Sequence, residues 1–154
     1  MTATSEKLPG KFCVSAKTEY NASHSAKVTT NDIEHNSLLG YHNFKIATNR
    51  GIPASERSLS FGFNDDIQSG DYPIGTSGEP IFGFSYVENP SGDNGPGTPR
   101  QYVAIAGGTA QVAVHKNEQT THYRVNFNFT GKHSDGEELD IEGFSDIYLK
   151  VYPT

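Results

Sequence analysis

Between Thr121 and Gly131 the chain alternates without a break. Tyr123, Val125, Phe127 and Phe129 are apolar, and His122, Arg124, Asn126 and Asn128 stand among them. A repeat of two puts successive side chains on opposite faces of an extended chain, so one face suits a core and the other suits water. That is the pattern of a strand in an antiparallel sheet with one solvated side. No window longer than about ten residues keeps apolar residues at i, i+3, i+4 and i+7, as an amphipathic helix requires. The chain reads as all-β.

The segment before it supports this. From Thr109 to Lys116, Val112 and Val114 alternate with Gln111, Ala113 and His115. The two segments predict a hairpin about Asn117-Glu118-Gln119. A register that pairs Val114 with Tyr123 also pairs Val112 with Val125 and buries all four. Further strands are expected over Lys11–Tyr20, Leu39–Thr48, Arg57–Asn64, Ile81–Glu88, Arg100–Ala106 and Leu139–Val151. Phe61 and Phe63 alternate, as do Phe82, Phe84 and Tyr86. Phe144 falls out of phase with Leu139 and Ile141, which predicts a β-bulge at Gly143. A short helical turn is expected near Thr30–Ser37, capped by Asn31 or Asp32. Turn chemistry marks Ser69-Gly70-Asp71, Ile74 to Gly78, Ala106-Gly107-Gly108 and Ser134-Asp135-Gly136. The longest loop, Asn89 to Pro99, is rich in Gly and Pro. About eight strands at this spacing predict one domain, 1–154, built as an antiparallel two-sheet β-sandwich, with a closed β-barrel as the alternative.

Composition narrows the chemistry. The nine Phe and eight Tyr supply core volume that six Leu do not. The single cysteine, Cys13, excludes a disulfide within the chain and any Cys-rich zinc site. Its place in Phe12-Cys13-Val14 predicts a small buried hydrophobe. The net charge of -6, with the acidic excess after residue 60, is poorly suited to neutralising phosphates, so no nucleic-acid partner is expected. No apolar stretch is long enough for a transmembrane segment, and Met1 to Lys11 has no signal-peptide core. As written, the chain is expected to be soluble and cytoplasmic, or exported or at the cell surface if Met1 replaces a removed signal.

The C-terminal half resembles a known arrangement. Gly70-Asp71-Tyr72-Pro73-Ile74-Gly75 precedes YVAIAGGTAQVAV (102–114) and YRVNFNFTGKHSDGEELDIEGFSDIYL (123–149). This is similar to small β-sandwich modules of bacterial surface lipoproteins of unknown function, which carry a G-x-Y-x-I turn followed by G-T-V-x-I, G-x-F-x-F and G-x-F strands. Val125 or Asn126 replaces the usual glycine before F-x-F, and no lipobox cysteine precedes the segment. The resemblance implies a β-sandwich and carries no catalytic residue.

Catalytic grammar is missing from the sequence itself. There is no G-x-S-x-G elbow, the six histidines are dispersed, and Ala106-Gly107-Gly108-Thr109 joins two strands rather than opening a helix. No carboxylate pair for glycoside hydrolysis can be selected. Four constellations remain. The polar face of the hairpin offers Gln111, His115, His122, Arg124, Asn126 and Asn128, a row of planar donors and acceptors able to read a saccharide or peptide, with Tyr86 and Tyr102 as candidate neighbours. Asp93 and Asn94 sit in the long loop, where binding residues gather on β scaffolds. His115 and His122, opposite one another, could share a divalent metal, with Glu118 as a third ligand. Asp135 to Glu138 reads as a hairpin tip, with a calcium loop as the alternative. The expected function is therefore a non-catalytic binding module, not an enzyme, with a carbohydrate or protein-surface ligand and no cofactor. The alternatives are a structural or self-associating homo-oligomer, a pore-forming or membrane-active β toxin, and a metal-binding protein using the His115–His122 pair.

Overall fold

The computed structural model describes residues 11–23, 26–52, 55–75, 80–88, 91–92, 95–96 and 99–152. The strands are β1 (Lys11–Ala22), β2 (Val28–Thr30), β3 (Asp32–Leu38), β4 (Tyr41–Thr48), β5 (Arg57–Asn64), β6 (Gly70–Ile74), β7 (Ile81–Glu88), β8 (Ser91–Gly92), β9 (Gly95–Pro96), β10 (Arg100–Ala104), β11 (Gly108–Lys116), β12 (Thr120–Lys132) and β13 (Glu138–Tyr152). Among the described residues there is no helix, and so none long and apolar enough to cross a membrane. β8 and β9 form a minimal hairpin inside the Gly/Pro-rich loop.

The other strands form one antiparallel, eleven-stranded sheet in the order β2-β1-β13-β12-β10-β7-β5-β4-β3, with β11 also bonded to β12 and β6 bonded to β11. β12 is long enough to serve several neighbours. One edge pairs with β13 along its whole length, and the other pairs with β11 and then, at Gly131 and Lys132, with β10. The two ends of the sheet meet through the chain itself. Only Asn31 separates β2, which pairs with β1, from β3, which pairs with β4. The Thr30 hydroxyl donates to the Ala47 carbonyl at 2.8 Å and accepts the Asp32 N–H at 3.1 Å, so the chain changes partner there without orphaning that N–H. The all-β antiparallel expectation holds. The hydrogen bonds do not divide the strands into two separate sheets. They describe a single sheet nearly closed into a barrel.

Aromatic rings fill the interior. Tyr123, Phe127 and Phe129 of β12 meet rings from strands to which β12 is not bonded: Phe63–Tyr123 at 4.7 Å, Phe84–Phe129 at 5.6 Å and Phe61–Phe127 at 6.4 Å between centroids. These separations suit aromatic pairing, which adds about 0.5–1.5 kcal/mol per pair beyond area burial. Beneath β1 and β13 the buried Thr18 and Ser145 hydroxyls satisfy one another at 2.7 Å.

Several sequence expectations are corrected. Residues 32–38 are a strand, not a helical turn. Their inward positions are Ile33 and His35, and the histidine hides the alternation. Gly70–Ile74, read as a turn, is strand β6. The pairing of β12 with β13 runs through Gly143 without a shift, so no bulge exists there. Phe144 is out of phase because it faces outward. The irregularity lies on β5 and β7 between Ser60 and Gly62, where Gly83 adopts φ 71°. This extra residue turns Phe82 outward against Tyr41 while Phe84 and Tyr86 stay buried. Cys13 is exposed, since its neighbour Val14 takes the inward position on β1.

Gly143 has a different role from the one expected. A Cβ at this position would collide with the Glu19 carbonyl oxygen and the Tyr20 backbone, which cross directly over it. Gly143→Ala is therefore expected to cost at least about 2 kcal/mol in chemical denaturation, as overpacking against backbone does. A loss below about 0.5 kcal/mol would show that β1 does not lie on Gly143.

Candidate binding face

The strand register turns the outer side of β11, β12, β13 and β1 into an ordered grid. Val114 pairs with Tyr123, which places His115 beside His122. His122 pairs in turn with Tyr148, and Tyr148 with Ser15. In the next outward row Ala113, Arg124, Asp146 and Lys17 are neighbours, and in the row after it Gln111, Asn126, Phe144 and Glu19. Outward residues follow from the alternation, because Ile141, Ser145, Ile147 and Leu149 take the buried positions of β13.

Two aromatic rings stand on this face. Tyr148 is 46% exposed and stacks on His122 at 4.3 Å between centroids, with planes 9° apart. His115 continues the stack at 6.1 Å and 16°. Phe144 carries the Arg124 guanidinium over its ring at 4.1 Å. Asp146, between the two rings, accepts from His122 Nε2 at 3.1 Å and from Arg124 Nη1 at 2.7 Å. One carboxylate thus ties both donors to the same place on the face.

On the β1 side of these rings lies a pocket of about 320 Å³. Phe144 forms one wall, and Asn21, Glu142 and the Glu19–Lys27 ion pair (3.1 Å) surround it. Gly143, over which the Glu19 and Tyr20 backbone crosses, also lines it.

The structure places the sequence-derived residues unevenly. Gln111, His115, His122, Arg124, Asn126 and Asn128 share the face, with Gln111 beside Asn126. Arg124 and His122 are engaged by Asp146. Tyr86 and Tyr102 are buried core residues and form no part of it. Asp93 and Asn94 lie outside the described residues. Sequence reasoning passed over Phe144, Asp146, Tyr148 and the pocket on β1. The available signal was the outward phase of Phe144 and Tyr148 in β13.

The stacked geometry of His115 and His122 turns ring faces, not lone pairs, toward one another. A shared metal needs nitrogen lone pairs converging on one point. Among the described residues no group of three or more His, Cys, Asp or Glu side chains is arranged to hold a metal ion. The acidic tip is also occupied. Arg100 Nη2 donates to Asp135 and Glu137 at 2.7 Å each, and the Tyr102 hydroxyl donates to Glu137 at 2.8 Å. Arg100 holds the Asp135 carboxyl well below the usual range, and Tyr102 and then Arg100 do the same for Glu137. These contacts clamp the β12–β13 turn to β10.

A different histidine pair is set into the core edge. His35 Nε2 and His42 Nδ1 are 2.9 Å apart, and His42 is 6% exposed among Phe44, Phe63 and Tyr123. Burial pushes His35 down to about 4, with His42 adding repulsion. Burial also lowers His42, against Asp65, which raises it, and with Lys116, which lowers it.

Comparison with known proteins returns no matching family model, no matching curated protein and no matching solved structure.

The histidine pair sets an acid response. Both folded pKa values lie below the unfolded value, so the unfolded chain binds protons first as pH falls. Their contribution is full above about pH 6.5 and is lost between there and about pH 4. Stability is expected to fall by about 1–2 kcal/mol across that window, allowing for the solvent that reaches half-buried His35. Denaturant midpoints at pH 7 and pH 4 test this. Wild type and His35→Gln losing the same stability on acidification would rule the pair out as the cause.

Proposed function

We propose that this protein is a non-catalytic binding module for carbohydrate, and that its ligand sits on the outer face of β13 and its neighbours. The observation that carries this reading is Tyr148, an aromatic ring left half in water on a sheet and held upright by the parallel His122 ring. Such a ring gives the C–H face of a sugar an apolar platform, while side-chain amides beside it supply donors and acceptors for hydroxyls. Asn126 and Gln111 stand on the same face in the row of Phe144, and Asn21 lies one row further along it.

Charge favours a largely neutral ligand. Arg124 is paired with Asp146, and Lys27 with Glu19, so much of the charge beside the rings is balanced within the protein. A polyanion would have to displace these carboxylates. The stacked rings need no rearrangement to receive a sugar, which limits the ordering cost of binding.

A glycan array followed by calorimetry tests the proposal. Tyr148→Ala is expected to weaken the best ligand about 3- to 10-fold, the equivalent of losing one aromatic contact. His115→Ala, at the far end of the stack, is expected to stay within about twofold. Failure of every glycan to bind at millimolar concentration would overturn the reading. Binding of a protein partner through the same face, in the absence of glycan binding, would replace it.

A further inference from the structure

We infer that the ligand is a linear oligosaccharide lying along β1, on the β1 side of the aromatic ridge, with one ring seated over Ser15 against Tyr148 and another in the pocket beside Phe144. This rests on the carbohydrate reading of the same face and specifies where on it the chain runs.

The stack gives the direction. His115, His122 and Tyr148 belong to three neighbouring strands, at directly paired positions. Rings that stack nearly parallel across adjacent strands stand upright from the sheet, with their faces looking along the hydrogen-bonding direction. One face of Tyr148 is covered by His122. The other looks toward β1, where the paired residue is Ser15. A serine is too small to continue the stack, and it is exposed. Neighbouring strands are about 4.8 Å apart, close to the thickness of one ring, so the row lacks one member and leaves a slot of that width. β2 bonds to β1 only at Thr18, Glu19 and Tyr20, and beyond it β3 approaches β1 without a strand ladder between them.

Phe144 repeats this arrangement. Arg124 from β12 covers one side of its ring. Its other side lines the pocket on β1, with Asn21, Glu142 and the Glu19–Lys27 pair around it. Both rings thus have protein over their β12 sides, while toward β1 Tyr148 faces the small Ser15 and Phe144 faces Glu19 and the pocket. The row predicted from the sequence, His122 to Asn128, lies behind the ridge.

Spacing sets the ligand length. Tyr148 and Phe144 lie four residues apart on one strand, about 13 Å at roughly 3.3 Å per residue. No single sugar ring touches both, whereas a short extended chain does. Between them β1 presents Lys17, paired across the strand with Asp146 and exposed to solvent. Its ammonium offers donors to hydroxyls at the middle of the track.

The test combines ligand length with a substitution that fills the slot. Affinity for a homologous series of neutral oligosaccharides is measured from mono- to tetrasaccharide. The series uses the sugar that gives the strongest array signal. Affinity is expected to rise at least about tenfold between the monosaccharide and the tetrasaccharide. Ser15→Phe places a protein ring in the slot. It is expected to weaken the tetrasaccharide at least about tenfold. Phenylalanine suits an exposed strand position, and an unchanged denaturation midpoint confirms that the fold is intact. Ser15→Phe binding as tightly as wild type, with Tyr148→Ala still weakened, would place the ligand on the β12 side and overturn the inference alone. A monosaccharide binding as tightly as the tetrasaccharide would also overturn it. Absence of binding to any glycan would remove both this inference and the reading beneath it.

Discussion

The rest of the molecule depends on the packing of β12 across the interior against β5 and β7. These strands are not hydrogen-bonded to β12, so their contact rests on side chains alone. Phe63 meets Tyr123, Phe61 meets Phe127, and Phe84 meets both Phe127 and Phe129. A curled sheet needs something inside it, because hydrogen bonds along its strands do not set its radius. Large flat rings fill that space with few residues. Once Tyr123, Val125, Phe127 and Phe129 point inward, period-two geometry drives His122, Arg124, Asn126 and Asn128 outward. The candidate binding face is thus the reverse side of the core. Its position is as well determined as the packing beneath it.

Polar contacts then hold the margins, where rings cannot reach. The Thr30 hydroxyl joins the two ends of the sheet where β2 passes into β3. Arg50 grips Asp32 and Glu34 at the start of β3, and Arg100 grips Asp135 and Glu137 at the β12–β13 turn. Single exposed ion pairs contribute little to stability. Here each arginine engages two carboxylates, so their value lies in fixing a turn or an edge strand in place. The His35–His42 pair is different in kind. It joins β3 and β4 beside Phe44, and it fails once both rings are protonated, because both facing nitrogens are then donors.

Legibility in the sequence followed the strength of alternation. The β11–β12 hairpin could be read to its register because Val112, Val114, Tyr123 and Val125 leave one arrangement that buries all four. β3 was misread because its inward residues are Ile33 and His35, and a histidine in a core position carries no apolar signal. β6 was misread because Gly70, Asp71 and Pro73 are turn-formers that here occupy a short strand beside β11. Pairing between distant strands was out of reach altogether. Nothing local in Val103 or Lys132 says that they meet, yet that pairing joins β10 to β12 and so favours one curled sheet over two layers.

The same rule explains why half of the candidate binding face is legible in the sequence and the other half is not. Polar residues between core residues announce an outer face, and so the row on β12 stood out. Aromatic residues on an outer face look like core residues with the wrong phase. By sequence Phe144 accordingly reads as a displaced core residue and Gly143 as the displacement. The register removes the displacement, and the two outward aromatics of β13 then need a different account. Each is covered on its β12 side by a polar side chain, His122 on Tyr148 and Arg124 on Phe144, and those two side chains are themselves tied to Asp146. Such a network holds the rings at a set angle from their β12 sides. Toward β1 the two differ: Tyr148 faces the small, exposed Ser15, and Phe144 faces Glu19 and the pocket beside it.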